Sequence, residues 1–304
     1  VKKTWLAALL IIVVMIVGVW VLRHYTAGTP TPLPKFVIGK GIWINVLQQC
    51  ESGKVDKIVE KAKWAKLDYV IVKTHYGSEW AEYNGREKTR KLVNALHAAG
   101  IKAYAWGYVY GRFPEAEADR AIESLEMGFD GYIWNAEAHM RNRPEEAETQ
   151  CRIVREYVDA NCPTAILGYS TFCRVQNQAG IPFEVYDRYC DVAMPQVYFS
   201  WFQGWSGKNA AVRTMEIWLG EQAKWDHVAK PIIPTLESSD GSSDMPKTSP
   251  KELSQAAQGF KGYFGVNFYT WEITNERLWK VIRDAPGGMP HQRKTNAAKA
   301  VALP

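Results

Sequence analysis

Gly128-Phe-Asp-Gly-Tyr-Ile-Trp-Asn-Ala-Glu137 is the stretch from which the rest of the chain is read. Gly128 closes a helix-period segment, because glycine adopts the left-handed conformation that ends helices. Phe129 onward is a short apolar run ending in Asn135-x-Glu137. Side chains alternate across a strand, so Asn135 and Glu137 share one side, with Ile133 below them. A helix that stops, turns and feeds an apolar strand with a polar end is one unit of a parallel sheet.

The same unit recurs on both sides of this stretch. Strands are expected at Gly41–Leu47, Tyr69–Thr74, Lys102–Tyr108, Gly131–Glu137, Ala165–Ser170, Val192–Tyr198, Pro231–Leu236 and Gly265–Trp271. Helix periodicity fills the intervals at Lys54–Lys66, Glu87–Ala99, Glu115–Met127, Glu145–Asn161, Phe183–Tyr189, Ala210–Trp225, Pro250–Phe260 and Asn275–Asp284. Ala99-Gly100 and Met127-Gly128 mark helix ends, and Pro144 and Pro250 mark first turns. About eight strand–helix units in a row predict an α/β fold, a (β/α)8 TIM barrel. A doubly wound open sheet is the alternative, but no G-x-G-x-x-G follows the first strand. The polar stretch Ser238–Ser249, with Asp240-Gly241, reads as a long surface loop after the seventh strand.

The chain has 304 residues, 47% of them hydrophobic, which is ample for a barrel of about 250 residues. The front is different in kind. Trp5–Leu22 is almost unbroken apolar sequence between Lys2-Lys3 and Arg23-His24. As a helix it would reach about 27 Å, at the short end of a bilayer span. A single N-terminal transmembrane or signal-anchor helix is therefore expected over residues 1–24, with a cleaved signal as the alternative. Thr29-Pro-Thr-Pro-Leu-Pro34 makes residues 25–36 a stiff linker. The barrel then occupies 37–285, and the basic residues 286–304 form a tail expected to be disordered. This order places the barrel outside the cytoplasm, attached to the membrane through its first helix or secreted after cleavage.

Net charge is +5, and Lys2, Lys3, Arg23, Arg293, Lys294 and Lys299 at the two ends supply part of it, so no nucleic-acid partner is expected. The cysteines (Cys50, Cys151, Cys162, Cys173, Cys190) form no C-x-x-C pair and read as small buried hydrophobes. No metal-ligand spacing is present and no cofactor is expected.

In a barrel of this kind the site lies at the C-terminal ends of the strands. Those ends carry Trp43 and Asn45, Lys73 and His75, Trp106 and Tyr108, Asn135 and Glu137, Tyr169 and Ser170, Gln196 and Tyr198, Glu237, then Tyr269, Trp271 and Glu272. A crown of polar groups and rings suits a carbohydrate cleft. A carboxyl held at an apolar barrel mouth can keep its proton and act as general acid, so Glu137 is the expected catalytic residue. Asn135 can orient an acetamide, and the Tyr198 hydroxyl can complete the clamp. The alternatives are a Glu137 carboxylate paired with Lys73 or an arginine, an Asn135 bonded to backbone and a structural Tyr198. Trp43, Trp106, Tyr108, Gln196, Trp271, Tyr269, Lys73 and Glu237 are the expected substrate-binding residues, with Trp271 as a floor under the reacting sugar. Asp130 and Asp191, at strand entrances, read as structural.

Phe129-Asp-Gly-Tyr-Ile-Trp-Asn-Ala-Glu137 resembles the fourth-strand signature of family 85 endo-β-N-acetylglucosaminidases, which also ends in Asn-x-Glu. It is similar to the D-G-x-D-x-D-x-E strand of family 18 chitinases, with Ile133 and Asn135 at the inner aspartates. Ala193-Met-Pro-Gln-Val-Tyr198 looks like the strand that supplies a tyrosine in the chitinases, and Phe268-Tyr-Thr-Trp271 like their closing tryptophan strand. The resemblance implies Glu137 as acid/base, the substrate's own N-acetyl group as nucleophile and Asn135 as its positioner. Val70-Ile-Val-Lys-Thr-His-Tyr-Gly77 resembles the second strand of family 25 lysozymes, but Trp43-Ile-Asn45 stands where those enzymes carry an aspartate. The expectation is an exported glycoside hydrolase acting on an N-acetylhexosamine-containing polymer: peptidoglycan of a cell wall, a chitin-like chain or an N-glycan. The alternatives are a non-catalytic glycan-binding barrel and a muramidase-type lysozyme using Glu237 or Glu272 as a second carboxylate.

Overall fold

The computed structural model describes residues 39–174, 178–199, 207–223, 231–243 and 245–287, all within a compact unit that begins at Phe36. The expected span Trp5–Leu22, the proline-rich linker and the tail beyond Gly287 lie outside the described residues. Among the described residues no helix is long and apolar enough to cross a membrane.

In chain order the elements are β1 (Gly39–Ile44), α1 (Val55–Trp64), β2 (Tyr69–Tyr76), β3 (Glu79–Trp80), α2 (Arg86–Ala98), β4 (Lys102–Tyr108), α3 (Pro114–Glu126), β5 (Gly131–Asn135) and α4 (Pro144–Asn161). They continue with β6 (Ile166–Ser170), α5 (Phe183–Tyr189), β7 (Val192–Ala193), β8 (Gln196–Val197), α6 (Gly207–Ala223), β9 (Thr235–Glu237), α7 (Pro250–Gly259), β10 (Gly265–Tyr269) and α8 (Glu276–Asp284). Apart from β3, which pairs antiparallel with β2, the strands form one parallel sheet in the order β7-β6-β5-β4-β2-β1-β10-β9-β8.

The sheet curls until its two ends meet in the same stretch of chain. β7 and β8 are two pieces of the expected strand Val192–Tyr198, broken at Met194-Pro195 because proline has no N–H for the ladder. β7 pairs with β6, and β8 with β9. Single bridges, Ala193 to Ile232 and Phe172 to Gln196, stitch across the break. The result is a mixed α/β fold with the curled parallel sheet of a TIM-like barrel.

Strand alternation splits the core in two. Inward positions (Trp43, Tyr69, Ile71, Tyr104, Trp106, Ile133) fill the barrel, while outward ones such as Val70 and Val72 join helix residues such as Leu92 and Leu96 in the layer between sheet and helices. So many rings fit inside because glycines face them. A Cβ on Gly41 would lie 1.9 Å from the Tyr69 ring, so that ring occupies the space a side chain would need. Tyr69 then donates its hydroxyl to Asn267 Oδ1 at 2.5 Å. On the outside, the missing side chain of Gly107 makes room for His75, which would otherwise lie 2.1 Å from a Cβ.

His75, near the end of β2, is packed on the outer side of the sheet against Tyr132 and Gly107. Its ring is fully buried between Gly77 O (2.8 Å) and the Tyr132 hydroxyl (2.7 Å), and burial lowers its pKa to about 4. At the strand entrances Asp130 accepts from Lys102 Nζ (2.7 Å) and Ala103 N (2.9 Å). Asp191 accepts from Arg155 (2.9 Å) and Leu167 N (2.9 Å), so both aspartates fasten the bottom of the sheet. All five cysteines are free thiols, and all but Cys162 are buried.

Candidate active site

β5 ends at Asn135, but the extended backbone does not. Ala136 N still donates to Ser170 O at 2.9 Å, and Glu137 keeps extended torsions (φ −119°, ψ −152°) before a 3-10 turn takes over at Ala138. Alternation therefore carries one step past the strand, and Asn135 and Glu137 face the same way. They open into a cavity of about 180 Å³ at the C-terminal end of the barrel. Asn135, Glu137, Gln196 and Tyr198 bring polar groups to it, with Ser170 beside them. Trp43, Tyr269, Phe172 and Met245 supply its apolar surface.

The polar groups are wired together. Gln196 Nε2 donates to Asn135 Oδ1 at 3.0 Å and to Glu137 Oε1 at 2.9 Å. One amide from β8 thereby fixes the relative position of the β5 amide and the carboxyl beyond it. Asn135 and Gln196 are buried and Glu137 is half-buried. Among the described residues no basic side chain forms an ion pair with Glu137. Tyr198 is buried; burial first, then the neighbouring Tyr269, Glu137 and Glu237, push its hydroxyl well above the usual phenol range. It is therefore a neutral O–H donor at any ordinary pH. The Tyr269 ring stands 5.9 Å from that of Tyr198 and 6.3 Å from that of Trp43, edge-on to the tryptophan.

The other expected binding residues fall elsewhere. Trp106 is buried beneath Trp43 (5.4 Å) and donates Nε1–H to Ile44 O at 2.9 Å, so it supports the floor without lining the cavity. Lys73 is half-buried beside it, its Nζ 3.1 Å from Asn45 Oδ1. Tyr108 lies at the rim, with its hydroxyl 2.9 Å from His139 Nδ1. Glu237 is fully buried, paired in register with Tyr269 and outside the lining.

Trp271 is a correction. β10 ends at Tyr269, Thr270 is still extended, and Trp271 opens a 3-10 turn, so alternation stops one residue short of Trp271. Its ring packs 4.7 Å from Trp279 of α8 and its Nε1 lies 3.4 Å from Glu51 Oε1, on the helix side of the sheet. The rings of Trp43 and Tyr269 line the cavity, and that of Trp271 does not. Glu272, a spare carboxylate, is spent on backbone: Oε1 accepts from Asn45 N and Val46 N, and Oε2 from the Thr270 hydroxyl.

Phe172 and Met245 are lining residues that the sequence did not single out. Met245 arrives because the polar Ser238–Ser249 segment is not a simple surface loop. Ser238, Ser239 and Thr248 are fully or nearly fully buried and bonded to each other's segment and to Thr274, which folds the segment onto the barrel mouth. Among the described residues no group of three or more His, Cys, Asp or Glu is placed to hold a metal ion.

No protein-family model matches the chain, and no curated protein matches it. Solved structures do. The chitinase from Chromobacterium violaceum ATCC 12472 superposes with a TM-score of 0.59 at 12% identity, over 82% of this chain and 99% of that one. The Bacillus cereus spore cortex-lytic enzyme SleL gives 0.58 at 10% identity, over 82% and 74%. A GH113 beta-1,4-mannanase gives 0.58 at 10%, over 81% and 96%. At these identities the likeness is one of fold: the chain is built on the TIM-like barrel that these glycoside hydrolases share.

Proposed function

We propose that the protein is a glycoside hydrolase acting on glycan that contains N-acetylhexosamine, by a retaining mechanism in which the substrate's acetamide is the nucleophile. One observation carries this reading. A single cavity holds the Glu137 carboxyl, the Asn135 amide and the Tyr198 side chain, with Trp43 and Tyr269 lining it, and Gln196 bonds the first two together. Glu137 protonates the glycosidic oxygen as the acetamide oxygen attacks the anomeric carbon, which gives an oxazolinium ion and releases the leaving chain. Asn135 holds the acetamide in line and Tyr198 donates to it. Glu137, now a carboxylate, takes a proton from the water that opens the ring.

The names of two fold neighbours, a chitinase and a spore cortex-lytic enzyme, accord with such a substrate. The apolar Trp5–Leu22 segment adds the proposal that the enzyme is exported and held at the membrane, or secreted after cleavage. The test is Glu137→Gln, assayed on peptidoglycan, chitin oligosaccharides and N-glycans. Hydrolysis should vanish while the melting curve stays within a few degrees of the parent; undiminished hydrolysis refutes the assignment. Binding of glycan without turnover by the parent would make it a binding barrel instead. A muramidase-type reading rests on Glu237, which sits beside Tyr269 and is felt at the Tyr198 hydroxyl. Loss of activity in Glu237→Gln equal to that of Glu137→Gln would favour it.

A further inference from the structure

Lys73 is an inward-facing cation near the site that the proposed reaction leaves unused. It follows Tyr69 and Ile71 on the barrel side of β2, and its side chain is half-buried. The ammonium lies 4.8 Å from the Trp106 ring centroid and 5.8 Å from that of Tyr76, which is exposed to solvent. Among the described residues it makes one hydrogen bond, to the neutral side chain of Asn45 at 3.1 Å. An ammonium has three N–H donors. Among the described residues no carboxylate forms an ion pair with this one.

Its two acidic neighbours are committed elsewhere. Glu272 gives both oxygens to backbone N–H groups and the Thr270 hydroxyl, and Glu137 accepts from Gln196. A cation drawn out of water, with donors to spare and a solvent-exposed ring beside it, is placed to receive an anion from outside. Lys73 stands outside the lining of the cavity of about 180 Å³ and is separated from it by the rings of Trp106 and Trp43, so a group it receives belongs to a unit of the polymer beyond the one in the cavity.

We infer that Lys73 receives a carboxylate borne by the glycan itself, so the preferred substrate is an acidic polymer in which N-acetylhexosamine neighbours a carboxylate-bearing sugar. Resting on the reading of the cavity given above, this narrows its substrate class. The carboxylate has two chemical sources: the 3-O-lactyl ether of a muramoyl unit and the C6 carboxylate of a uronate.

The test compares three oligosaccharides of equal length: a neutral chitin oligomer, peptide-stripped peptidoglycan strands with free lactyl groups, and an alternating uronate–N-acetylhexosamine chain. The parent should prefer one acidic chain, and which one identifies the source. In Lys73→Gln the ratio of kcat/KM on that chain to kcat/KM on the neutral one should fall about tenfold or more. Lys73→Arg, which keeps the charge, should retain most of the ratio, and added salt should compress it in the parent. An unchanged ratio in Lys73→Gln, or an equal loss on acidic and neutral chains, overturns the inference.

Calorimetric binding by Glu137→Gln, with and without Lys73→Gln, separates this from the reaction. Selective acidic-chain binding lost with Lys73→Gln, without hydrolysis by the parent, would sink the catalytic proposal and uphold this one. Hydrolysis with no acidic preference would do the reverse.

Discussion

Gln196→Leu is the sharpest perturbation of the site. The substitution nearly conserves volume and removes both bonds of one Nε2 atom, 2.9 Å to Glu137 and 3.0 Å to Asn135. A hydrogen bond between neutral partners contributes about 0.5–1.5 kcal/mol, and Glu137 is neutral when it acts as the acid. Loss of the two bonds that align the acid with Asn135 lowers kcat/KM by roughly 5- to 100-fold. Stability should hardly change. Both acceptors belong to cavity-lining side chains that water can reach, so the net cost is about 1 kcal/mol or less, a shift of roughly 2–4 °C. Initial rates on an N-acetylglucosamine oligosaccharide, read beside a melting curve, separate the two effects. Gln196→Glu should be worse still, because it sets a second carboxylate against Glu137. Activity within about twofold of the parent would refute the positioning role, as would a loss that merely follows unfolding.

Two predictions concern stability. Burial lowers the His75 pKa from 6.5 to about 4, so between those values the unfolded chain binds a proton that the folded one refuses. This contribution to stability is complete above pH 6.5 and is lost as pH falls toward 4, by roughly 3 kcal/mol in all; denaturant titrations of His75→Gln should lose that part of the slope. Glu117 is a buried carboxylate that accepts from the backbone N–H groups of Tyr110, Gly111 and Arg112 (3.2, 3.2 and 3.3 Å) and from Gln150 Nε2 (2.7 Å). Glu117→Ala orphans these donors at a cost of about 3 kcal/mol, a fall of roughly 6–12 °C in Tm by calorimetry; a fall under about 2 °C would show that water replaces the carboxylate.

The strand–helix rhythm was legible because it is written in local chemistry. Period-2 runs such as Tyr69–Thr74 and stop signals such as Gly100 and Gly128, both at positive φ, act within a few residues of themselves. Asn135, Glu137, Gln196 and Tyr198 could be placed on one cavity because alternation fixed the facing of each strand end. What the sequence could not show is where alternation stops. It runs past β5 to Glu137, whose backbone stays extended, but past β10 it ends at Thr270, before a 3-10 turn that holds Trp271 on the helix side. Nothing local distinguishes the two cases, since both follow an aromatic strand. Met245 was hidden for another reason. Serines and threonines read as surface, yet Ser239 bonds Thr248 and Ser238 bonds Thr274, which buries all four, a long-range outcome no window of sequence contains.

The central claim is that Asn135, Gln196 and Tyr198 form a preformed acetamide pocket around Glu137. Titration of the intact protein with N-acetylglucosamine thiazoline, which copies the bicyclic intermediate, tests it most directly. Tight binding, weakened about 10-fold or more by Asn135→Ala and by Tyr198→Phe, is the expected result. Binding no tighter than that of N-acetylglucosamine itself, or indifferent to both substitutions, would contradict it.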